Sequence, residues 1–188
     1  QKTAYEIKEC DWSSDVCSSD LEGFYFTNEI RLDAKEEWLY IVETTGPHIS
    51  RMRLIESPQG VLLRDREVFG PVHLGGFPDG IAFDAEGNLW CTLIMVDQLI
   101  ALTPQGDKLI LWDDGDPAAS ARLMADAEAG RLTTETMLAT HGTLAPWMAS
   151  VTFGGPDLRT VYIGSLMGHR IPFFRSPVPG LPMVHWPV

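Results

Sequence analysis

Residues 79–102 read DGIAFDAEGNLWCTLIMVDQLIAL. Ile81 and Phe83 alternate with small residues, then Asp84-Ala85-Glu86-Gly87 makes a turn. Leu89-Trp90-Cys91 continues as a second strand, and a polar turn leads to a third over Gln98 to Leu102. Period-two alternation broken by Asp and Gly is the pattern of antiparallel hairpins.

The same pattern occurs twice more. Asn28 to Leu54, NEIRLDAKEEWLYIVETTGPHISRMRL, places Ile30/Leu32, a turn at Asp33-Ala34-Lys35, Leu39-Tyr40-Ile41, and a third strand over Ile49 to Leu54. Ala149 to Phe174, ASVTFGGPDLRTVYIGSLMGHRIPFF, places Val151/Phe153, Gly154-Gly155-Pro156-Asp157, Val161-Tyr162-Ile163, and a third strand over Arg170 to Phe174. The repeats start 51 and then 70 residues apart. The excess lies between Asp113 and Pro146 and predicts a helical insertion over about 116–142. There Asp116-Pro117 makes an N-cap followed by Pro at the first helical position. That helix ends near Gly130, and Thr133 or Thr134 caps a second one stopping near Gly142.

Repeats of three or four antiparallel strands at this spacing predict an all-β chain of β-propeller type. Three are fewer than the about four to eight blades that close a propeller. The expectation is therefore a partial propeller of about three blades, the C-terminal part of a larger ring. Its repeats start near 28, 79 and 149.

Residues 1–21 stand apart. Residues 11–21, DWSSDVCSSDL, back-translate into a string resembling a common sequencing-library adapter, and residues 1–7, QKTAYEI, resemble its flow-cell end. Such segments are set aside before a fold is argued. The reading is a non-native leader over 1–21 and a native part over 22–188. Cys10 and Cys17 then drop out and leave Cys91, so no internal disulfide is expected.

The 188 residues carry 14 Lys+Arg against 26 Asp+Glu, a net charge of −12. That balance argues against a nucleic-acid partner, which needs clustered Lys and Arg. No run approaches the ~18 apolar residues of a membrane span, so no membrane partner is expected. Oligomeric state and compartment are not assigned by the residues, the cytoplasm being the marginal preference.

In a propeller the innermost strand of each blade starts beside the central channel. The first positions of the three repeats are Asn28, Asp79 and Ala149. An amide oxygen and a carboxylate converging from different blades suit a hard divalent cation. Asn and Asp also start strands because they stabilise turns, and Pro78-Asp79-Gly80 is an ordinary turn tripeptide. Glu43-Thr44-Thr45 lines the channel or only a turn. His48, His73, His141, His169 and His185 share no metal-ligand spacing, His169 sitting in a blade loop. Cys91 is expected as a buried filler, and Trp38, Trp90, Trp112, Trp147 and Trp186 as packing between blades. No Ser elbow, phosphate loop or CxxC element is present.

The segment Phe77 to Trp90, FPDGIAFDAEGNLW, resembles the signature of the senescence marker protein/gluconolactonase/luciferin-regenerating enzyme family, which includes regucalcin-like members. LYIVETTGPHISRMRL and SVTFGGPDLRTVYIGSL resemble its neighbouring and closing segments. The resemblance implies a six-bladed propeller with one divalent cation (Ca, Mg, Mn or Zn) in its channel. It implies Asn28 and Asp79 as two metal ligands, with the family's Glu ligand and a further Asn in a preceding part. It implies metal-dependent hydrolysis of a sugar-type lactone, Asp79 being both ligand and general base. The alternative is a non-enzymatic calcium- or sugar-binding propeller on the same channel. One departure stands out: the family has Gly after the ligand Asn, and this chain has Glu29. Strand alternation is expected to turn Glu29 away from the face of Asn28.

Overall fold

The computed structural model describes residues 21–58 and 60–183. The leader assigned to 1–21 falls outside them but for its last residue, as does Trp186.

Eleven described strands form three antiparallel sheets. The first sheet runs in the order β1 (Thr27–Leu32), β2 (Trp38–Glu43), β3 (His48–Ser57) and β4 (Gly60–Phe69). The second runs β5 (Phe77–Phe83), β6 (Leu89–Ile94), β7 (Gln98–Leu102) and β8 (Lys108–Asp113). The third holds β9 (Met148–Gly154), β10 (Thr160–Ser165) and β11 (Phe173–Arg175). Each is a simple meander, as short turns between sequence neighbours require.

The turns come from Asp side chains. Asp84 Oδ1 accepts from the backbone N–H of Glu86 and of Asn88, both at 2.9 Å, while its Oδ2 accepts from Trp90 Nε1 at 2.9 Å. Asp33 Oδ1 accepts from Glu37 N and Trp38 N at 2.8 and 3.1 Å in the matching turn of the first sheet. Gly87 takes the left-handed backbone there at φ 85°, and Glu36 holds the equivalent place at φ 55°.

The helical insertion lies between β8 and β9. Helix α1 (Pro117–Glu128) is capped by Asp116, whose carboxylate accepts from Ala119 N at 2.7 Å. Helix α2 (Thr134–Leu138) is capped by Thr133 and stops four residues short of Gly142.

The second sheet is apolar on both faces because a sheet packs on each. Leu89, Cys91, Leu93, Ile100 and Leu102 join Tyr40, Val42, Ile49 and Phe69 of the first sheet in one core. Trp90, Leu99 and Ala101 join Val151, Phe153, Val161 and Ile163 of the third sheet in another. All six residues of β6 are therefore buried, and its sequence shows no polar alternation. Aromatic rings lock the layers edge to face: Tyr40 on Phe83 at 5.0 Å and Trp90 on Phe153 at 4.9 Å.

Two expectations about strands change. Strands β4 and β8 extend the first two sheets beyond the three strands read in each repeat. Strand β11 is only three residues long, where a strand from Arg170 was expected. Pro172 lacks the N–H that would continue the ladder, and it offers only its carbonyl, to Ile163 N at 3.0 Å.

Candidate functional site

The first strands of the three sheets are neighbours, β5 packing beside both β1 and β9. The approach is close. A Cβ at Gly80 would stand 2.6 Å from both Ala149 O and Ser150 Cα, so only glycine lets β5 meet β9 there.

Each of these strands carries an irregularity at the position that opens its repeat. In β1, Thr27 pairs with Glu43 and Ile30 with Ile41, so Asn28 and Glu29 together face Val42. In β5, Pro78 pairs with Leu93 and Ile81 with Cys91, so Asp79 and Gly80 together face Thr92. In β9, Met148 and Ser150 pair with Ser165 and Gly164, which leaves Ala149 as the extra residue. These are β-bulges, which bend a strand and re-aim a side chain. Thr92 satisfies the β5 bulge: its hydroxyl accepts from Gly80 N at 2.9 Å and donates to Gly80 O at 3.3 Å.

The bulges bring Asn28 and Asp79 together. Asn28 Nδ2 donates to Asp79 Oδ1. The same Nδ2 donates to Thr44 Oγ1 at 3.4 Å, and the Thr44 hydroxyl donates to Pro78 O at 2.8 Å. Asn28 Oδ1 and Asp79 Oδ2 accept no hydrogen bond among the described residues. Ala149, the third expected position, contributes backbone against Gly80 and no polar side-chain group.

Glu29 is not where alternation put it. Its carboxylate reaches β5, accepts from Ile81 N at 2.7 Å and forms an ion pair with Arg31. The bulge is the reason, because two consecutive residues opposite one partner break the strict two-sided alternation.

Burial of the Asp79 carboxyl raises its pKa above the ordinary aspartate value. The Asn28 hydrogen bond opposes that rise, and the nearby Glu29 charge adds to it. No Lys, Arg or His forms an ion pair with Asp79 among the described residues. Arg31 pairs with Glu29 and leaves the Asp79 carboxylate without a cationic partner among these residues, a setting that a metal ion would stabilise. Two unengaged oxygens, one amide and one carboxylate, suit a hard divalent cation. They are two of the six or so ligands such a cation takes. Among the described residues no group of three or more His, Cys, Asp or Glu is placed to hold a metal ion.

Behind this pair lies a cluster that the sequence did not announce. The Glu43 carboxylate at the end of β2 is fully buried. It accepts from Tyr25 N at 2.9 Å, Arg66 Nη2 at 2.7 Å and Ser50 Oγ, and His48 Nε2 lies 3.2 Å away. Burial pushes its pKa up, but the Ser50, Tyr25 and Arg66 contacts outweigh burial and hold it below the ordinary glutamate value. Arg66 also donates to Gly23 O at 2.8 Å and stacks on the Phe24 ring at 3.8 Å. Beforehand Glu43 was read as lining the channel or only a turn, and His48 as one of five histidines without metal-ligand spacing; the structure instead buries the Glu43 carboxylate at the last position of β2.

Cys91 is buried on β6 as expected, and burial drives its thiol well above the ordinary value, so it is not a nucleophile. A cavity of about 370 Å³ lies away from the Asn28–Asp79 pair, lined by Leu111, Trp112, Leu144 and Pro172 to Phe174. It is mostly apolar and holds no titratable side chain.

The sequence model of the SMP-30/gluconolactonase/LRE-like region matches residues 5–132. No curated protein sequence matches the chain. Among solved structures, the chain is similar to a luciferin-regenerating enzyme at 16% identity and TM-score 0.55, over 84% of this chain and 48% of that one. It is similar to a gluconolactonase from Xanthomonas campestris at 17% identity and TM-score 0.53, over 85% of this chain and 39% of that one. It is also similar to regucalcin, a calcium-binding protein from Agrobacterium tumefaciens, at 15% identity and TM-score 0.54, over 84% of this chain and 47% of that one. At these identities the likeness is one of fold. The chain spans less than half the length of each of these three structures.

Proposed function

The chain belongs to the SMP-30/gluconolactonase/LRE-like family, and we propose on that basis that Asn28 and Asp79 are two oxygen ligands of a divalent-cation site that hydrolyses a sugar-type lactone. The observation that carries the reading is the side-chain contact between Asn28 and Asp79 across two sheets. The three sheets, with their first strands side by side, support an arrangement of propeller type around that site.

Asn28 Oδ1 and the Asp79 carboxylate would hold the cation, with waters and further groups completing its shell. A bound divalent cation polarises a carbonyl oxygen and lowers the pKa of water. Asp79 takes a proton from the attacking water as general base. The water oxygen bonds to the lactone carbonyl carbon, the ring C–O bond breaks, and the proton passes to the departing ring oxygen. An asparagine in place of Asp79 keeps the shape and cannot accept the proton.

A binding-only reading places calcium at the same pair without turnover. Its support is the likeness in fold to a structure described as a calcium-binding protein. Glucono-δ-lactone hydrolysis, followed by base uptake with Ca²⁺, Mg²⁺, Mn²⁺ or Zn²⁺ added singly, separates the two. Metal-dependent turnover abolished by Asp79→Asn supports the hydrolase. Metal binding without turnover supports the binder. Turnover unchanged in Asp79→Asn removes Asp79 from the reaction.

A further inference from the structure

We propose that Thr44 is a positioning residue that sets the Asn28 amide, leaving Asn28 Oδ1 as the atom offered to a cation; this rests on the cation reading above. A threonine hydroxyl has one proton to donate. Here that proton goes to Pro78 O at 2.8 Å. Toward Asn28 the hydroxyl can then only accept, so the amide atom facing it is Nδ2, at 3.4 Å. The second neighbour of that Nδ2, Asp79 Oδ1, is also an acceptor when ionised. An amide turned by half a revolution would set oxygen against two oxygens. The two contacts therefore select one amide orientation.

The same hydroxyl joins the two strands that carry the pair. Pro78 precedes Asp79 on β5, and Thr44 follows β2, the partner of β1. Thr44 itself is fixed by its backbone. Its N–H donates to Phe26 O at 3.1 Å, and the preceding residue is Glu43, whose buried carboxylate holds Tyr25 N. The segment leading to Asn28 and the hydroxyl that orients Asn28 are thus anchored on one corner. Thr44 touches no reacting atom, so its effect is on cation affinity.

The test is calorimetric titration of the 188-residue chain with CaCl₂ alone and with MnCl₂ alone, for wild type, Thr44→Ser and Thr44→Val. The inference expects Thr44→Val to bind on the order of tenfold more weakly, the loss of about one hydrogen bond. Thr44→Ser keeps the hydroxyl and is expected to retain wild-type affinity. Thermal unfolding in EDTA checks that both variants fold, and rescue by serine is a result that a mere packing role for the threonine methyl would not give. Equal affinity in wild type and Thr44→Val overturns the Thr44 inference and leaves the cation reading standing. Absence of cation binding by the folded wild type overturns both. A second measurement needs no variant: the Asn28 side-chain amide protons, followed by NMR, are expected to exchange with water more slowly than those of a free asparagine. Exchange at the free rate contradicts the clamp.

Discussion

The Asn28 side chain on β1 donates a hydrogen bond to the Asp79 carboxylate on β5, 51 residues further along the chain. Each residue sits in a bulge, and each opens its sheet. Two bulges in equivalent places aim two oxygen-bearing side chains at one point, and the backbone around them is stitched by Thr44 to Pro78 and by Glu29 to Ile81.

Gly80 tests the packing that creates this point. Gly80→Ala sets a methyl 2.6 Å from Ala149 O and Ser150 Cα, both backbone atoms that cannot swing aside. The expected cost is about 3 kcal/mol, as for overpacked cores. Chemical denaturation with far-UV dichroism measures it, and a loss under about 0.5 kcal/mol would show that β5 and β9 do not approach as closely at Gly80 as described.

Glu36 offers the opposite sign. It holds a left-handed backbone at φ 55°, in the turn position that Gly87 holds in the second sheet. Glu36→Gly relieves about 1–2 kcal/mol of strain and loses roughly half of that to the greater freedom of glycine in the unfolded chain. Net stabilisation of about 0.5–1 kcal/mol is expected in the same denaturation experiment. Destabilisation would mean the turn differs from its counterpart at Asp84.

Glu43 governs the acid limit. Its pKa is lower folded than unfolded, burial being outweighed by the Ser50, Tyr25 and Arg66 contacts. Its contribution is thus fully present above the unfolded glutamate pKa and fades as pH falls through the lower folded value. Melting temperatures measured downward from pH 6 should drop more steeply in wild type than in Glu43→Gln. At neutral pH the substitution should cost about 2 kcal/mol, the size of hydrogen bonds to a charged group. Parallel pH profiles in the two proteins would remove Glu43 from that role.

Much of this was legible beforehand, for a physical reason. Asp33, Asp84 and Asp157 announce turns because their carboxylates bind backbone N–H groups nearby in sequence. Asp116 and Thr133 announce helix starts in the same local way. Asn28 and Asp79 stand out because repeats place them in register. The bulges were not legible, since a bulge is a count of residues against a partner strand and one strand carries no record of it. Glu29 was misplaced for that reason alone. The Glu43 cluster hid because Arg66 lies 23 residues away and meets Glu43 only through the pairing of β3 with β4. Strand β8 hid because its apolar run, Leu109-Ile110-Leu111-Trp112, has no alternation to betray it.

The central claim is that Asn28 and Asp79 jointly hold a divalent cation, and calorimetric titration of the purified chain with Ca²⁺ and Mn²⁺ tests it most directly. The account predicts saturable binding of one cation per chain, weakened in Asn28→Ala and lost in Asp79→Asn, with both variants folded by dichroism. Binding of equal strength in wild type and Asp79→Asn, or none in a folded wild type, would contradict it.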